Sequence, residues 1–143
     1  MMPTVRVSSV IDAPIEDVWE IVRDFGELDQ WHPEIDDCVI EGDRAGLEIG
    51  AVRNLTVGSE TFREKLVEAS QSNHYHGYTV LDAPVPMNNA VSTLQFYSVT
   101  TENQTYGEWE ERFDAPESAA DELVDEITTL YEEGFANLRQ LAE

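Results

Sequence analysis

The feature that most constrains this chain is a 26-residue stretch, 117–142. In it Leu123, Val124, Ile127, Leu130, Tyr131, Phe135, Leu138 and Leu141 recur three and four residues apart. That period predicts one amphipathic helix with a single apolar face. At 1.5 Å per residue it would run about 39 Å. A helix this long must bury its stripe against something large. Gly134 lies inside the stripe, where a close approach or a kink is expected.

What precedes it is read as strands. Residues 4–11, TVRVSSVI, alternate Val5, Val7 and Ser9 against Arg6 and Ser8. DAPIEDVWEIV then predicts a helix, with Asp12 available as its cap, Pro14 in the first turn and Val18, Trp19, Ile21 and Val22 as its buried stripe. Gly26 ends that helix, and ELDQW can add a short second one. Further strands are expected over 35–41, 49–57, 62–69, 74–81, 89–100 and 105–114, separated by the turn compositions EGDRAG, GSE, SQSN, DAPVP and TENQ. The fold class is therefore α+β: a seven-stranded antiparallel sheet with helices on one face. One helix cannot cover seven strands evenly. A curved sheet wrapped around it would leave a cavity, a common ligand site. At 143 residues the chain, 1–143, reads as a single domain.

Charge excludes several functions. Thirty acidic residues face eight basic ones, of which only Lys65 is a lysine, giving a net charge of −22. Phosphate backbones and anionic membranes are repelled, so nucleic acid is not an expected partner and membrane insertion is not expected. Self-repulsion on this scale favours a high-salt cytoplasm, where the Debye length falls to about 3 Å at molar salt. No apolar run reaches transmembrane length, so a soluble, cytoplasmic protein is expected, as monomer or homodimer. One cysteine, Cys38, excludes an internal disulfide. There is no GxSxG elbow and no Gly-rich phosphate loop. His74 and His76 fall on one strand face without a third ligand, so no metal site and no cofactor are expected.

The segments IDAPIEDVWEIVRDFGELDQWHPEIDDCVIEG, IGAVRNLTVG, EKLVEAS, HGYTVLDAPVPMNNAVSTL and EWEERFDAP resemble the START-like (SRPBCC) superfamily, in its polyketide cyclase/dehydrase-type group and the branch that includes the abscisic-acid receptors. The APxxxVWxxVxDF…WHP opening followed by GxxR carries most of the likeness, which covers nearly the whole chain. The resemblance implies a helix-grip fold and an internal pocket for a small hydrophobic or polyketide-like molecule. It places His32 where the receptors hold a ligand-binding lysine, Glu64 and Glu110 on two pocket glutamates, a gate loop at Val57–Thr61 and a latch loop at Pro84–Met87. The gate is shorter than a receptor's, the latch reads Val-Pro-Met, and Ala90 and Gly134 replace a tyrosine and an asparagine. It therefore implies the pocket and not abscisic acid recognition.

Strand alternation extends this lining. With Glu110 inward, Glu108 and Arg112 follow. With Tyr78 inward, so are His76 and Val80; Phe62 and Glu64 share a face, as do Ala90, Ser92 and Leu94. Trp31, Leu55, Val57, Met87, Tyr131 and Phe135 complete the expected ligand-binding set. Binding or transport of a small hydrophobic molecule is the first reading. The alternative is a cyclase/dehydratase-type enzyme in which His32, Glu64 and Glu110 are the candidate acid–base groups. In DQWHPEIDDC, Trp31 reads as wall packing and His32 as a donor to a ligand at the cavity rim.

Overall fold

The computed structural model describes residues 1–143. Strand β1 (Thr4–Ile11) leads into helix α1 (Ile15–Val22) and a 3-10 segment at Phe25–Gln30. Strands β2 (Asp37–Ile40), β3 (Val52–Val57), β4 (Glu60–Ser70), β5 (Tyr75–Asp82), β6 (Asn88–Val99) and β7 (Gln104–Asp114) follow, and helix α2 (Glu117–Ala142) ends the fold. All seven strands form one antiparallel sheet in the order β1-β7-β6-β5-β4-β3-β2. This is the α+β architecture the order of elements predicts and the helix-grip fold the resemblance implies, and α2 spans the 26 residues its apolar period marks out.

The sheet curves because its ladders are interrupted. Register shifts occur between Leu66 and Glu68, between Arg63 and Glu64, and between Asn88 and Val91. Each extra residue bends its strand and raises the local twist. β3 turns into β4 through two residues, with Gly58 at φ +61°, a left-handed value that suits a residue without Cβ. The gate is thus a tight hairpin tip.

The concave face closes on α1 and α2. Val18, Trp19 and Val22 of α1 are buried, as are Leu123, Tyr131, Phe135 and Leu138 of α2. Phe96 and Phe135 meet edge to face at 6.4 Å. Asp12 does not cap α1. Pro14 occupies the cap position with no side-chain hydrogen bond, and the Asp12 amide instead donates to Glu143 Oε2 at 2.9 Å. The short stretch Asp12–Ala13–Pro14 brings the chain into the helix by the fixed proline φ rather than by a capping carboxylate.

Candidate functional site

Between the sheet and α2 lies a hollow of about 210 Å³. Leu55 and Val57 of β3, Phe62 and Glu64 of β4, Tyr78 and Val80 of β5, Trp109 and Glu111 of β7, and Leu123, Ile127, Leu130 and Tyr131 of α2 wall it. Val85 and Met87 of the latch loop and Glu60 and Glu126 border it, the two glutamates both exposed. Trp109 stacks on Tyr131 at 4.1 Å with the rings 5° from parallel, and its Nε1–H donates to the Tyr78 hydroxyl at 2.9 Å. These contacts tie three aromatic walls into one rigid surface.

Two carboxylates reach this surface. Glu64 Oε1 accepts a hydrogen bond from Arg53 Nε at 2.8 Å and lies 2.7 Å from Nη2 of the same guanidinium, a buried ion pair. Arg53 donates its third group, Nη1, to the Phe25 carbonyl at 3.0 Å and packs its guanidinium carbon 3.8 Å from the Phe25 ring centre and 4.8 Å from that of Tyr78. Its guanidinium is buried and fully engaged. Glu111, 5% exposed, receives one hydrogen bond, from the Ser92 hydroxyl at 2.6 Å. Burial pushes its carboxyl up to about 7; Ser92 opposes that rise and the charge of Glu64 adds to it.

The expectations for β7 are inverted by one residue. Thr105, Gly107, Trp109, Glu111 and Phe113 are buried, so Glu108, Glu110 and Arg112 point to the outer face. Glu110 pairs there with Arg6 of β1. A side-chain period of two sends the whole set to one face or the other. Trp109 and Phe113 share the parity of Glu111, and that apolar alternation was the available signal for it. Arg53 likewise shares parity with Leu55 and Val57, and it is the arginine of GxxR.

His32 is in the wall but is not a free donor. It is 1% exposed, its Nε2 lies 2.7 Å from the Leu130 carbonyl of α2, and its Nδ1 accepts from the Glu34 amide at 3.1 Å. Both ring nitrogens are committed to the protein, with Nε2 carrying the hydrogen. Burial lowers its pKa. A Cβ at Gly134 would meet His32 Cδ2 at 2.7 Å and Trp109 Cζ3 at 3.0 Å, so the glycine supplies the close approach. Trp31 is core, 2% exposed, and its carbonyl accepts from Asn137 of α2 at 2.8 Å. The WHP trio is a clasp between the 3-10 segment and α2. Its location in the wall therefore does not give His32 the rim role expected of it.

Of the other expected residues, Leu55, Val57, Phe62, Glu64, Tyr78, Val80, Met87 and Tyr131 meet in the hollow. His76, Ala90, Ser92, Leu94 and Phe135 are buried behind it and do not line it. His76 places Nε2 3.0 Å from the Arg23 carbonyl, and burial, then Arg53, lowers its pKa to about 4. His74 precedes β5 in a turn at φ +56° and contacts Trp19 edge-on, so the two histidines are not a ligand pair. Leu28, Ile35, Arg53, Trp109, Glu111, Leu123, Glu126, Ile127 and Leu130 also line the hollow and were not among the expected residues; Glu60 and Val85, which line it too, belong to the expected gate and latch loops.

Residues 2–143 match the family model described as polyketide cyclase / dehydrase and lipid transport. The abscisic acid receptor PYL10 of Arabidopsis thaliana is 31% identical over 99 residues, 66% of this chain and 53% of the receptor. The receptor PYL7 of the same plant is 31% identical over 88 residues, 59% of this chain and 40% of its own. The chain spans about half the length of the curated relatives it matches. A solved protein of Nitrosospira multiformis superposes with a TM-score of 0.86 at 28% identity, covering 99% of this chain and 97% of that one. A Thermobifida fusca protein solved by NMR gives 0.86 at 30% identity, covering 95% and 90%.

Proposed function

The chain belongs to the polyketide cyclase / dehydrase and lipid transport family, and from that membership we propose that it binds or carries a small hydrophobic molecule in the hollow between sheet and α2. Family and fold are consistent with such ligands. The observation that carries the reading is the hollow itself. Its walls are apolar and aromatic, tied together by hydrogen bonds, with few polar groups converging on it. The hairpin tip at Val57–Thr61 and the loop at Pro84–Met87 flank the way in. No cofactor is required for this role. The partner is the ligand alone, in a cytoplasmic monomer or homodimer, and at −22 the chain avoids nucleic acid and works best in high salt. No helix is long and apolar enough to cross a membrane.

Native mass spectrometry of protein isolated from its own cells tests this. The expected result is a reproducible extra mass, released on denaturation and extractable into organic solvent. A protein that carries no such mass and takes up none from a lipid extract would end the reading.

One observation favours a second reading, a cyclase/dehydratase-type enzyme. Glu111 stands in the wall with a carboxyl near 7, suited to moving protons at neutral pH. It stands on the inner face of β7, where Glu110, the expected acid–base candidate, does not. Under this reading Glu111→Gln abolishes turnover of a carbonyl substrate and leaves its affinity within a few fold.

A further inference from the structure

We infer that the hollow selects a cationic ligand, a small amine on an apolar frame, whose ammonium is received by Glu111. This rests on the binding role proposed above and names the chemical class that fits it. Glu111 has no cationic partner, whereas Glu64, the other buried carboxylate of the wall, has Arg53. Its one hydrogen bond comes from Ser92. No buried side-chain polar atom in the chain lacks a partner, so its second oxygen, Oε2, opens on the hollow. A buried carboxylate without a cation is costly, and a cation brought by a ligand removes that cost.

The protein offers no cation of its own there. Of the eight basic residues, Arg53 alone lines the hollow. Its guanidinium is held by Glu64 and the Phe25 carbonyl and covered by Phe25 and Tyr78. His32, the other basic group in the wall, has both nitrogens engaged. A ligand carboxylate would therefore be stripped of water beside Glu111 and Glu64 with nothing to meet it. The approach has the same sign. Glu60 and Glu126 stand exposed at the border of the hollow in a chain of net charge −22, a field that concentrates cations and repels anions. Tyr78, Trp109 and Tyr131 also line the hollow, and aromatic rings are surfaces an ammonium and its apolar frame favour. A neutral carbonyl ligand could accept a hydrogen bond from protonated Glu111, but it would bring no charge to compensate the ionised form.

The test uses matched probes that differ only in the head group: an arylmethylamine, the corresponding alcohol and the corresponding carboxylate, in a benzyl and a naphthyl frame. Each is titrated by calorimetry into the full chain at about pH 8, where both amine and Glu111 are charged. The amine should bind more tightly than the alcohol by roughly ten- to hundredfold, the worth of a charged hydrogen bond in a desolvated site. The carboxylate should bind weakest. Glu111→Gln, which keeps shape and polarity, should bring amine and alcohol to similar affinity and leave the alcohol unchanged. Glu110→Gln, on the outer face, should leave the ratio as in the parent. A carboxylate that equals the amine, or a preference that survives Glu111→Gln, overturns the inference. An alcohol that binds as tightly as the amine ends the charge selection and leaves the binding role standing. If no probe binds in either frame, the binding role and this inference fall together.

Discussion

Glu64 and Glu111 face one hollow from two strands, and they differ in their partners. Glu64 has a cation, the Arg53 guanidinium, which meets its Oε1 through two nitrogens and is covered by Phe25 and Tyr78. Glu111 has a hydroxyl. The first arrangement is closed: charge is balanced inside the protein, and a ligand has nothing to add. The second is open, and its unbalanced carboxyl is available to a proton or a cation from outside. A buried charge that the fold satisfies belongs to the fold, whereas one left unsatisfied costs stability and marks where function is to be sought.

The sharpest way to break the contrast is to make Glu64 resemble Glu111. Arg53→Met should destabilise by about 3–5 kcal/mol, because it leaves Glu64 buried without its cation. Urea unfolding measures it. Arg53→Met with Glu64→Leu should recover most of the loss, since both charges then go together. A single variant as stable as the parent would mean the pair is not structural.

Glu111 should behave oppositely. Its folded pKa of about 7 lies above its ordinary value of 4.5. Below 4.5 both states hold the proton and there is no penalty. As pH rises from 4.5 towards 7 the unfolded state ionises first, and stability is lost until the folded carboxyl also ionises. Above 7 the accumulated loss is about 3 kcal/mol. Glu111→Gln should therefore match the parent in unfolding free energy near pH 4 and exceed it by that order at pH 8. A difference independent of pH would contradict the role of burial.

A smaller effect is expected from Ser92→Ala. Losing that donor should cost about 1 kcal/mol at pH 8 and move the Glu111 carboxyl further upward, since Ser92 opposes the rise. The carboxyl carbon shift of Glu111, followed by NMR across pH, reads the direction. The smallest effect belongs to Glu110. Replaced by glutamine it loses a surface ion pair with Arg6, and the thermal midpoint should stay where it is. If Glu110→Gln and Glu111→Gln behaved alike, the assignment of faces on β7 would be wrong.

The adjacency of Glu110 and Glu111 shows where reading the sequence succeeds and where it stops. The period of the α2 stripe, the alternation of β1 and the turn compositions are local properties, and local sterics translate them directly into helix, strands and order. The motifs from APIEDVW to GAVR carry the family in the same way. They also identified much of the apolar wall, from Leu55 and Phe62 to Val80 and Tyr131. The faces of β7 are legible too, through Trp109 and Phe113, although the resemblance puts Glu110 on a receptor glutamate. A partner distant in sequence was not legible. Whether His32 is a free donor depends on the Leu130 carbonyl 98 residues away, on the space left by Gly134 and on the Glu34 amide. Whether a glutamate is balanced depends on which strand brings arginine and which brings serine beside it. Sequence by itself determined the elements, because hydrophobic period and backbone sterics act within a few residues. Only the tertiary structure decided which polar groups are satisfied, because each hydrogen bond needs a partner within about 3 Å, and folding alone sets that distance.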